Sequence, residues 1–301
     1  MTEAEFIAAL RRMPLHPGAR GLVDDSAVID AGPLVVTTDT LVEGVHFLPD
    51  DPPADIAWKL VATNLSDLAA KGALVEGVLL NYPLGDSTWD RAFLDGLGTV
   101  LTCFDTRLIG GDTVSKRGPR TLTLTAFGRD AAAPSRDGAQ DGDALWVTGT
   151  IGDAGLGLAI AQAGHGPVAL RDAYRRPFPR LSEGRALGPI VHAMMDVSDG
   201  LLIDAHRMAR ASGLAVTVAL DRVPLSEAAR AFGGTDRAAR LAAATAGDDY
   251  ELLFALPAGI APPVAATCVG SFGPGGGLIL IDSGKPIPPP PRWGYEHAPE
   301  R

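Results

Sequence analysis

The sequence predicts an α/β fold with mixed (α+β) sheets, divided between two domains. Its 301 residues suggest about two domains of ordinary size, and a hydrophobic content of 46% is sufficient for a large core. Short apolar or β-branched runs and helical patterns occur on both sides of residues 130–142, which are rich in Ala, Asp, Gly and Pro and have no periodicity. We therefore expect the boundary there, with domains at residues 1–135 and 136–301.

The first domain is predicted to contain strands and two helices. The strands are short apolar or β-branched runs bounded by Gly, Pro or Asp, at 35–39, 76–82, 108–112 and 120–127. The helices are expected at 55–72 and 87–105. In the first helix an apolar stripe repeats at helical spacing, at Ala57, Val61, Leu65 and Leu68. Asn64, Asp67 and Lys71 form a polar stripe beside it, which is typical of a helix at the edge of a cleft.

A similar alternation follows in the second domain. Its strands are predicted at 144–148, 193–196, 214–220 and 250–256, and a helix is predicted at 200–211. The proline run at 287–291 cannot join a central strand, so we expect it on the surface. Acidic residues recur where strands end in both domains, which would suit two related domains that face one cleft.

Composition excludes several classes of protein. A formal net charge of -10 disfavours nucleic-acid binding, which requires basic surface. The cysteines, Cys103 and Cys268, lie far apart and outside any metal-binding spacing, as expected of apolar residues in a reducing compartment. Residues 1–12 do not resemble a secretory signal, and no apolar run is long enough to span a bilayer. We expect a cytoplasmic protein with neither a nucleic-acid nor a membrane partner.

Two acidic segments of the first domain could hold a cation. Asp39 follows an apolar run and the hydroxyl residues Thr37 and Thr38, which together supply oxygen ligands at a strand end. A cap on a turn is the alternative for this segment. Asp67 lies on a largely apolar helix, where either a metal or Lys71, one turn later, would offset its charge.

Two further segments combine an acidic residue with a possible phosphate contact. The glycine before Asp112, Gly111, would let the backbone approach phosphate oxygens, although a turn of purely steric origin is the alternative. Asp196 and Asp199 flank Ser198 at the start of a helix, and they would repel each other unless cations intervene. Ser198 or Asp199 is expected to cap that helix.

Motifs of other enzyme classes are missing from the sequence. It contains no G-x-x-x-x-G-K-[ST], G-x-G-x-x-G, H-E-x-x-H, G-x-S-x-G or protein-kinase catalytic loop. Of the histidines, only His46 is close to a candidate motif, and a structural role is the alternative for it. The acidic cluster at 247–251 could equally be a solvated turn.

Motifs that are weak singly occur together in a specific order. They are V-D-D-S-A-V at 23–28, T-T-D-T-L-V-E-G-V-H-F at 37–47, N-L-S-D-L-A-A-K-G-A at 64–73, I-G-G-D-T at 109–113, M-D-V-S-D-G-L at 195–201, G-D-D-Y-E-L-L-F at 247–254 and W-G-Y-E-H at 293–297. Taken together, they closely resemble the thiamine-monophosphate kinase family, from about residue 20 to the end of the chain.

The resemblance implies an architecture and an activity. The family belongs to the aminoimidazole-ribonucleotide synthetase superfamily, which implies an N-terminal ATP- and Mg²⁺-binding domain that pairs in a homodimer, and a C-terminal α/β domain that completes the active-site cleft. It implies Mg²⁺-dependent transfer of the γ-phosphate of ATP to thiamine monophosphate, which gives thiamine diphosphate. Another ATP-using member of the superfamily and a non-catalytic nucleotide or metal sensor remain as alternatives.

By motif position, the resemblance also implies roles for individual residues. Ligands of several Mg²⁺ ions are expected at Asp25, Thr37, Thr38, Asp39, Asp67, Asp112, Asp196 and Asp199, of which Asp39, Asp112 and Asp199 are expected to be catalytic. Contacts with ATP are expected at Gly111, Asp112, Arg136 and Ser198. Contacts with thiamine monophosphate are expected at His46, Asp248 and Tyr295. Lys71 replaces the methionine usual in the family, and we expect it near the acidic site, where it could compete with a metal for Asp67.

Overall fold

The computed structural model describes residues 2–22, 29, 32–115 and 117–296. It divides into two compact units. The N-terminal unit consists of Met1–Leu68 and Ala73–Ala131, and the C-terminal unit consists of Ala69–Gly72 and Ala132–Arg301. Residues 130–142, which are all described, contain no helix or strand.

Helices and strands alternate through the N-terminal unit. In chain order they are α1 (Glu3–Leu10), β1 (Val35–Val42), α2 (Pro53–Ala69), β2 (Leu74–Leu84), α3 (Ser87–Cys103), β3 (Leu108–Ser115) and β4 (Thr121–Arg129), with a short 3-10 helix at Pro17–Leu22. Every strand and helix that the sequence predicts for this unit is confirmed, with small shifts at the ends. Helix α1 and the 3-10 helix were not predicted.

The strands of the N-terminal unit form a mixed sheet. Its order in the described residues is β1-β4-β2-β3, in which β2 and β3 are parallel and the other neighbours are antiparallel. Helix α3 makes the crossover that a parallel pair requires. The predicted apolar stripe of α2 is fully buried, at Ala57, Val61, Leu65 and Leu68. Helix α2 therefore covers one face of the sheet.

The C-terminal unit contains more elements around a larger sheet. They are β5 (Ala144–Thr148), α4 (Asp153–Ala163), α5 (Val168–Arg175), α6 (Leu181–Leu187), β6 (Ala193–Asp196), α7 (Leu201–Ala211), β7 (Ala215–Ala219), α8 (Glu227–Gly233), α9 (Arg237–Thr245), β8 (Leu252–Leu256), β9 (Ala266–Gly273), β10 (Gly277–Asp282) and β11 (Lys285–Ile287). The described strands have the order β11-β10-β7-β9-β5-β8-β6. Only β10 and β7 are parallel among these neighbours, so this sheet is also mixed, as the predicted fold class requires.

Two predicted boundaries in the chain were wrong for conformational reasons. Strand β8 begins at Leu252 and not at residue 250, because Tyr250 has a φ of 51°, which no strand residue adopts. Helix α2 ends at Ala69 and not at residue 72, because Gly72 is left-handed and its N–H donates to the Ala69 carbonyl at 2.9 Å. In the part of the chain that the structure describes, no helix is long and apolar enough to cross a membrane.

Gly96 lies where α3 packs against α2. A Cβ at Gly96 would lie 2.4 Å from the Cα of Ala54, whereas a Cβ at Gly98 would meet nothing within 4 Å. We expect Gly96→Ala to lower the free energy of unfolding by about 2 kcal/mol, because the backbone of α2 would have to move. Gly98→Ala is the matched control and should raise it by up to about 1 kcal/mol, because alanine favours helices. Denaturant unfolding measures both, and equal effects would contradict the packing described here.

Candidate functional site

Helix α2 brings two predicted metal ligands next to β1. The Thr37 hydroxyl donates to Oδ2 of Asp67 at 2.5 Å. Oδ1 of the fully buried Asn64 accepts the backbone N–H of Asp39 at 3.1 Å. The polar stripe predicted on α2 therefore faces β1, and it fixes the strand beside the Asp39–Asp67 pair.

The Asp39 carboxylate is in an unfavourable electrostatic environment. Burial raises the pKa of Asp39 to about 6, the charge of Asp67 acts in the same direction, and a hydrogen bond from Thr63 opposes both. A bound divalent cation would relieve the repulsion, and carboxylate and hydroxyl oxygens are the ligands that Mg²⁺ prefers. The donor set therefore fits Mg²⁺. Among the described residues no three His, Cys, Asp or Glu side chains are grouped to hold a metal, and Asp25 lies outside those residues.

Asp112 lies on the opposite face of the same sheet. Residues paired across neighbouring strands point to one face, and they form the row Thr40, Thr123, Asn81 and Asp112. Thr38 shares this face, and its hydroxyl donates to the Leu124 carbonyl at 3.1 Å. The structure thus separates Thr38 and the exposed Asp112 from the Asp39–Asp67 pair by the thickness of one sheet.

Gly111 is required by strand packing. It lies within β3, so the turn that the sequence offered as an alternative is wrong, although the reason for the glycine is steric. A Cβ at Gly111 would lie 1.8 Å from the Leu80 carbonyl oxygen. Strand pairing therefore accounts for this glycine, and its predicted contact with ATP stays a prediction.

The loop that carries His46 is held from two sides. Nδ1 of His46 accepts the backbone N–H of Val42 at 3.0 Å, so the proton of a neutral ring lies on Nε2. The ammonium group of the buried Lys59 donates to the His46 carbonyl at 3.0 Å. Glu43 accepts the backbone N–H of Arg120 at 2.9 Å. The sequence did not identify Lys59, although a lysine within the apolar part of a helix is such a signal.

In the C-terminal unit, three predicted segments converge. The backbone N–H of Asp248 donates to the Ser198 carbonyl at 2.8 Å, and that of Tyr295 donates to the Asp199 carbonyl at 2.9 Å. Asp196 ends β6 directly before this loop and is buried. The predicted substrate contacts Asp248 and Tyr295 therefore border the predicted metal and ATP residues 196–199.

The loop at 247–251 is anchored by the acidic residues that follow Asp248. Asp249 accepts the N–H of Gly152 at 2.9 Å, and burial raises the pKa of Asp249 well above its usual range. The guanidinium of Arg180 binds Glu251 through two hydrogen bonds of 2.7 and 2.5 Å. Asp248 and Tyr250 both have a positive φ, 68° and 51°. The loop is thus fixed by hydrogen bonds of Asp249 and Glu251, and it is not a solvated turn.

Helix α7 is not capped as predicted. Gly200 is its N-cap residue and has no side chain to accept a bond, so neither Ser198 nor Asp199 caps the helix. Instead the fully buried Asp204 accepts the N–H groups of residues 198–200, at 3.0 to 3.2 Å. Burial raises the pKa of Asp204 to about 6. The sequence signal that we missed is the one used for Asp67, namely a carboxylate on an apolar stretch of helix.

Two basic residues occupy defined positions in the C-terminal unit. The carbonyl of Arg136 accepts the hydroxyl of Ser212 at 3.4 Å, and the Arg136 side chain is exposed. The Lys71 ammonium donates to the carbonyls of Pro134 and Met194, at 2.9 and 3.2 Å. Competition of Lys71 with a metal for Asp67 stays a prediction.

Comparison with known families classifies this architecture. The model for the N-terminal domain of AIR synthase related proteins matches residues 23–129, and the model for their C-terminal domain matches residues 140–286. Together these matches cover most of the chain, which therefore belongs to the AIR synthase related proteins.

The similar proteins narrow the family further. The thiamine-monophosphate kinase of Caulobacter vibrioides is 39% identical, with 99% of this chain and 91% of the relative covered. The enzyme of Escherichia coli K12 is 38% identical, with 92% and 91% covered. The crystal structure of thiamine-monophosphate kinase from Stenotrophomonas maltophilia K279a has a TM-score of 0.80 at 37% identity, with 94% and 96% covered. Within the AIR synthase related proteins, the chain belongs to the thiamine-monophosphate kinase family.

The raised pKa of Asp39 has a consequence for stability. A carboxyl group whose pKa rises from 3.8 to about 6 on folding stabilises the protein fully below pH 3.8, and that contribution is lost as the pH rises to about 6. At neutral pH without metal, we expect Asp39→Asn to raise the free energy of unfolding by about 1 to 3 kcal/mol. Its stability should also vary less between pH 4 and 6 than that of the parent.

Denaturant unfolding in the presence of a chelator, at several pH values, checks this expectation. Asp112→Asn is the matched control, because this exposed carboxylate should change stability by no more than about 0.5 kcal/mol. A lower stability of Asp39→Asn at neutral pH would contradict the unfavourable environment assigned to Asp39.

Proposed function

We propose that this chain transfers the γ-phosphate of ATP to thiamine monophosphate and forms thiamine diphosphate and ADP. One observation carries the proposal beyond family membership. The structure described as AaThiL complexed with AMPPCP and TMP has a TM-score of 0.79 with this chain at 29% identity, with 91% of each chain covered. Its ligands are an analogue of ATP and the phosphate acceptor of this reaction.

The acceptor brings its own nucleophile to the reaction. A phosphate oxygen of thiamine monophosphate is anionic at neutral pH, so the protein need not supply a general base. This oxygen forms a bond to the γ-phosphorus while the bond from that phosphorus to the bridging oxygen breaks, and ADP leaves with the bridging oxygen. Because the transition state is loose, the protein contributes mainly by positioning the reactants and balancing their charge.

Magnesium, when bound, would neutralise charge on the phosphate oxygens. Several ions are proposed, held by Thr37, Asp39 and Asp67 on one face of the sheet, by Thr38 and Asp112 on the other, and by Asp25, Asp196 and Asp199. The oxygen chemistry of the Asp39–Asp67 pair and the raised pKa of Asp39 support this assignment. Asp39, Asp112 and Asp199 are the catalytic members of the set.

The remaining proposed residues bind the two organic reactants. Gly111, Asp112, Arg136 and Ser198 would contact ATP, and His46, Asp248 and Tyr295 would contact thiamine monophosphate. The exposed guanidinium of Arg136 is suited to phosphate oxygens. The backbone bonds that join Asp248 to Ser198 and Tyr295 to Asp199 support two neighbouring binding sites.

A turnover assay tests the proposal. The purified protein with ATP, Mg²⁺ and thiamine monophosphate should produce equal amounts of thiamine diphosphate and ADP. Asp39→Asn and Asp112→Asn should each lower kcat by roughly 100-fold, because each removes charge that orients the reactants. Asp95→Asn, which changes an exposed carboxylate on α3, should retain the parental rate. Absence of thiamine diphosphate at millimolar Mg²⁺ would refute the proposed reaction.

The assay also separates the alternatives. A nucleotide or metal sensor would bind ATP without forming product, which calorimetry with ATP and Mg²⁺ would reveal. Another AIR synthase related enzyme would use ATP only with a different acceptor. Parental rates in both aspartate variants would show instead that these two carboxylates are structural.

We also propose a cytoplasmic homodimer that forms through the N-terminal unit. Val36 and Val114, on the face of its sheet away from α2, are 55% and 52% exposed. Apolar side chains on an open sheet face are typical of an association surface. Free Cys103 and Cys268 are compatible with a reducing compartment.

The proposed dimer predicts how a negative charge at position 36 would change the oligomeric state. Val36→Asp should shift the molecular mass in solution from that of a dimer to that of a monomer, because the carboxylate would be buried against the second copy. Val168→Asp is the control, since Val168 is 56% exposed on α5 of the other unit. Light scattering coupled to size exclusion measures both masses. A monomeric parent would refute this assembly.

A further inference from the structure

The N-terminal end of α7 is occupied by a side chain of the helix itself. Asp204 lies in the first turn, and its Oδ2 accepts the backbone N–H groups of Ser198, Asp199 and Gly200 at 3.1, 3.0 and 3.2 Å. Asp204 is fully buried. These N–H groups belong to the loop and the N-cap residue directly before α7, and one carboxylate oxygen engages all three consecutive donors.

The other oxygen of Asp204 connects this arrangement to the predicted metal ligand. Oδ1 accepts a hydrogen bond from Nη1 of Arg207 at 2.8 Å. The same nitrogen donates to Oδ2 of Asp199, so Arg207 bridges the two carboxylates. Asp204, Arg207 and Asp199 therefore form one chain of charge-assisted hydrogen bonds, which we call the α7 relay.

We propose that Asp204 is a positioning residue of the phosphoryl-transfer site, which fixes residues 198–200 and directs Arg207 onto Asp199. This inference rests on the proposed function, because only that function gives Asp199 a metal to bind. In the metal-free protein Arg207 is the counter-ion of Asp199, and Mg²⁺ has to displace it. Two cations cannot share one carboxylate oxygen without repulsion.

The α7 relay also limits how ATP is bound. The N–H groups of residues 198–200 are engaged by Asp204, so these three donors are not available to a phosphate group. The carbonyl of Ser198 accepts the N–H of Asp248. The contact of Ser198 with ATP is therefore expected to use its hydroxyl group.

A magnesium titration without nucleotide tests the role of Arg207. The melting temperature of the purified protein is followed against Mg²⁺ concentration. Arg207→Gln should lower the concentration for half-maximal stabilisation by roughly fivefold, because Asp199 loses a competing cation. Arg210→Gln is the matched control, since it removes the same charge from an exposed position on the same helix, and it should change the midpoint less than about twofold.

Several outcomes of the titration would overturn the inference. One is an equal midpoint concentration for Arg207→Gln and the parent. Another is a decrease of the midpoint in the Arg210→Gln control as large as that in Arg207→Gln. The third is that Mg²⁺ alone does not raise the melting temperature of the parent. The titration needs no turnover, so it decides on the α7 relay even if no thiamine diphosphate is formed.

A kinetic comparison tests the role of Asp204. Asp204→Asn retains the shape of the side chain but removes the charge that fixes the three N–H groups, and with them the backbone that carries Asp199. We expect kcat to fall about 10- to 100-fold, with KM for both substrates within about threefold of the parent, as found when groups behind metal ligands are altered. A merely structural role would lower the melting temperature and leave kcat unchanged well below it, and that result would overturn the proposal. If Asp204→Asn does not fold, the Arg207→Gln titration decides.

Discussion

A carboxylate withdrawn from water must find hydrogen-bond donors or a cation, and this requirement organises much of the molecule. Asp204 finds three backbone N–H groups, Asp249 finds that of Gly152, and Glu251 finds the guanidinium of Arg180. In each case a loop or a helix start becomes fixed. Asp39 also has a hydrogen bond, with Thr63, but the charge of Asp67 repels it. A bound cation would offset that repulsion.

The two loops of the C-terminal unit use the same design. In each, a buried acidic residue holds the backbone, so that a neighbouring acidic residue is presented in a fixed position. Asp204 has this role for Asp199, and Asp249 has it for Asp248. Groups that position a reactant need such support in general, because a displacement of about 1 Å can greatly reduce the rate of a positioned reaction. Some acidic residues of these motifs therefore hold the backbone, and others are the ones held in position.

The sequence predicted the strands more completely than the helices. It identified the acidic residues but not the face of the sheet to which each side chain points. Strands β5 and β6 have the predicted bounds, because short apolar runs between turn residues leave little choice of register. Helix α4 was missed, since its many Ala and Gly residues give no apolar periodicity. Helix α9 was also missed. Asp39 and Asp112 both follow apolar runs, yet strand pairing places them on opposite faces, and a shift by one residue would reverse either direction.

The sequence also could not distinguish the roles of neighbouring acidic residues. Asp199 and Asp204 are five positions apart, and only the path of the backbone at Gly200, with a φ of 129°, turns Asp204 beneath the loop. The sequence also does not give distances between motifs of different units, because it shows only their order along the chain. The family resemblance supplied the substrates, which no local pattern could have specified.

The left-handed residues at 248 and 250 restrict which side chains this loop can carry. A β-branched side chain is strongly disfavoured at a positive φ, whereas Gly, Asn and Asp tolerate it. Substitution at position 248 is thus limited first by the backbone conformation, whatever the loop binds. Few residue types are available at this position, so a change in what the loop contacts would have to arise on the flanking segments instead.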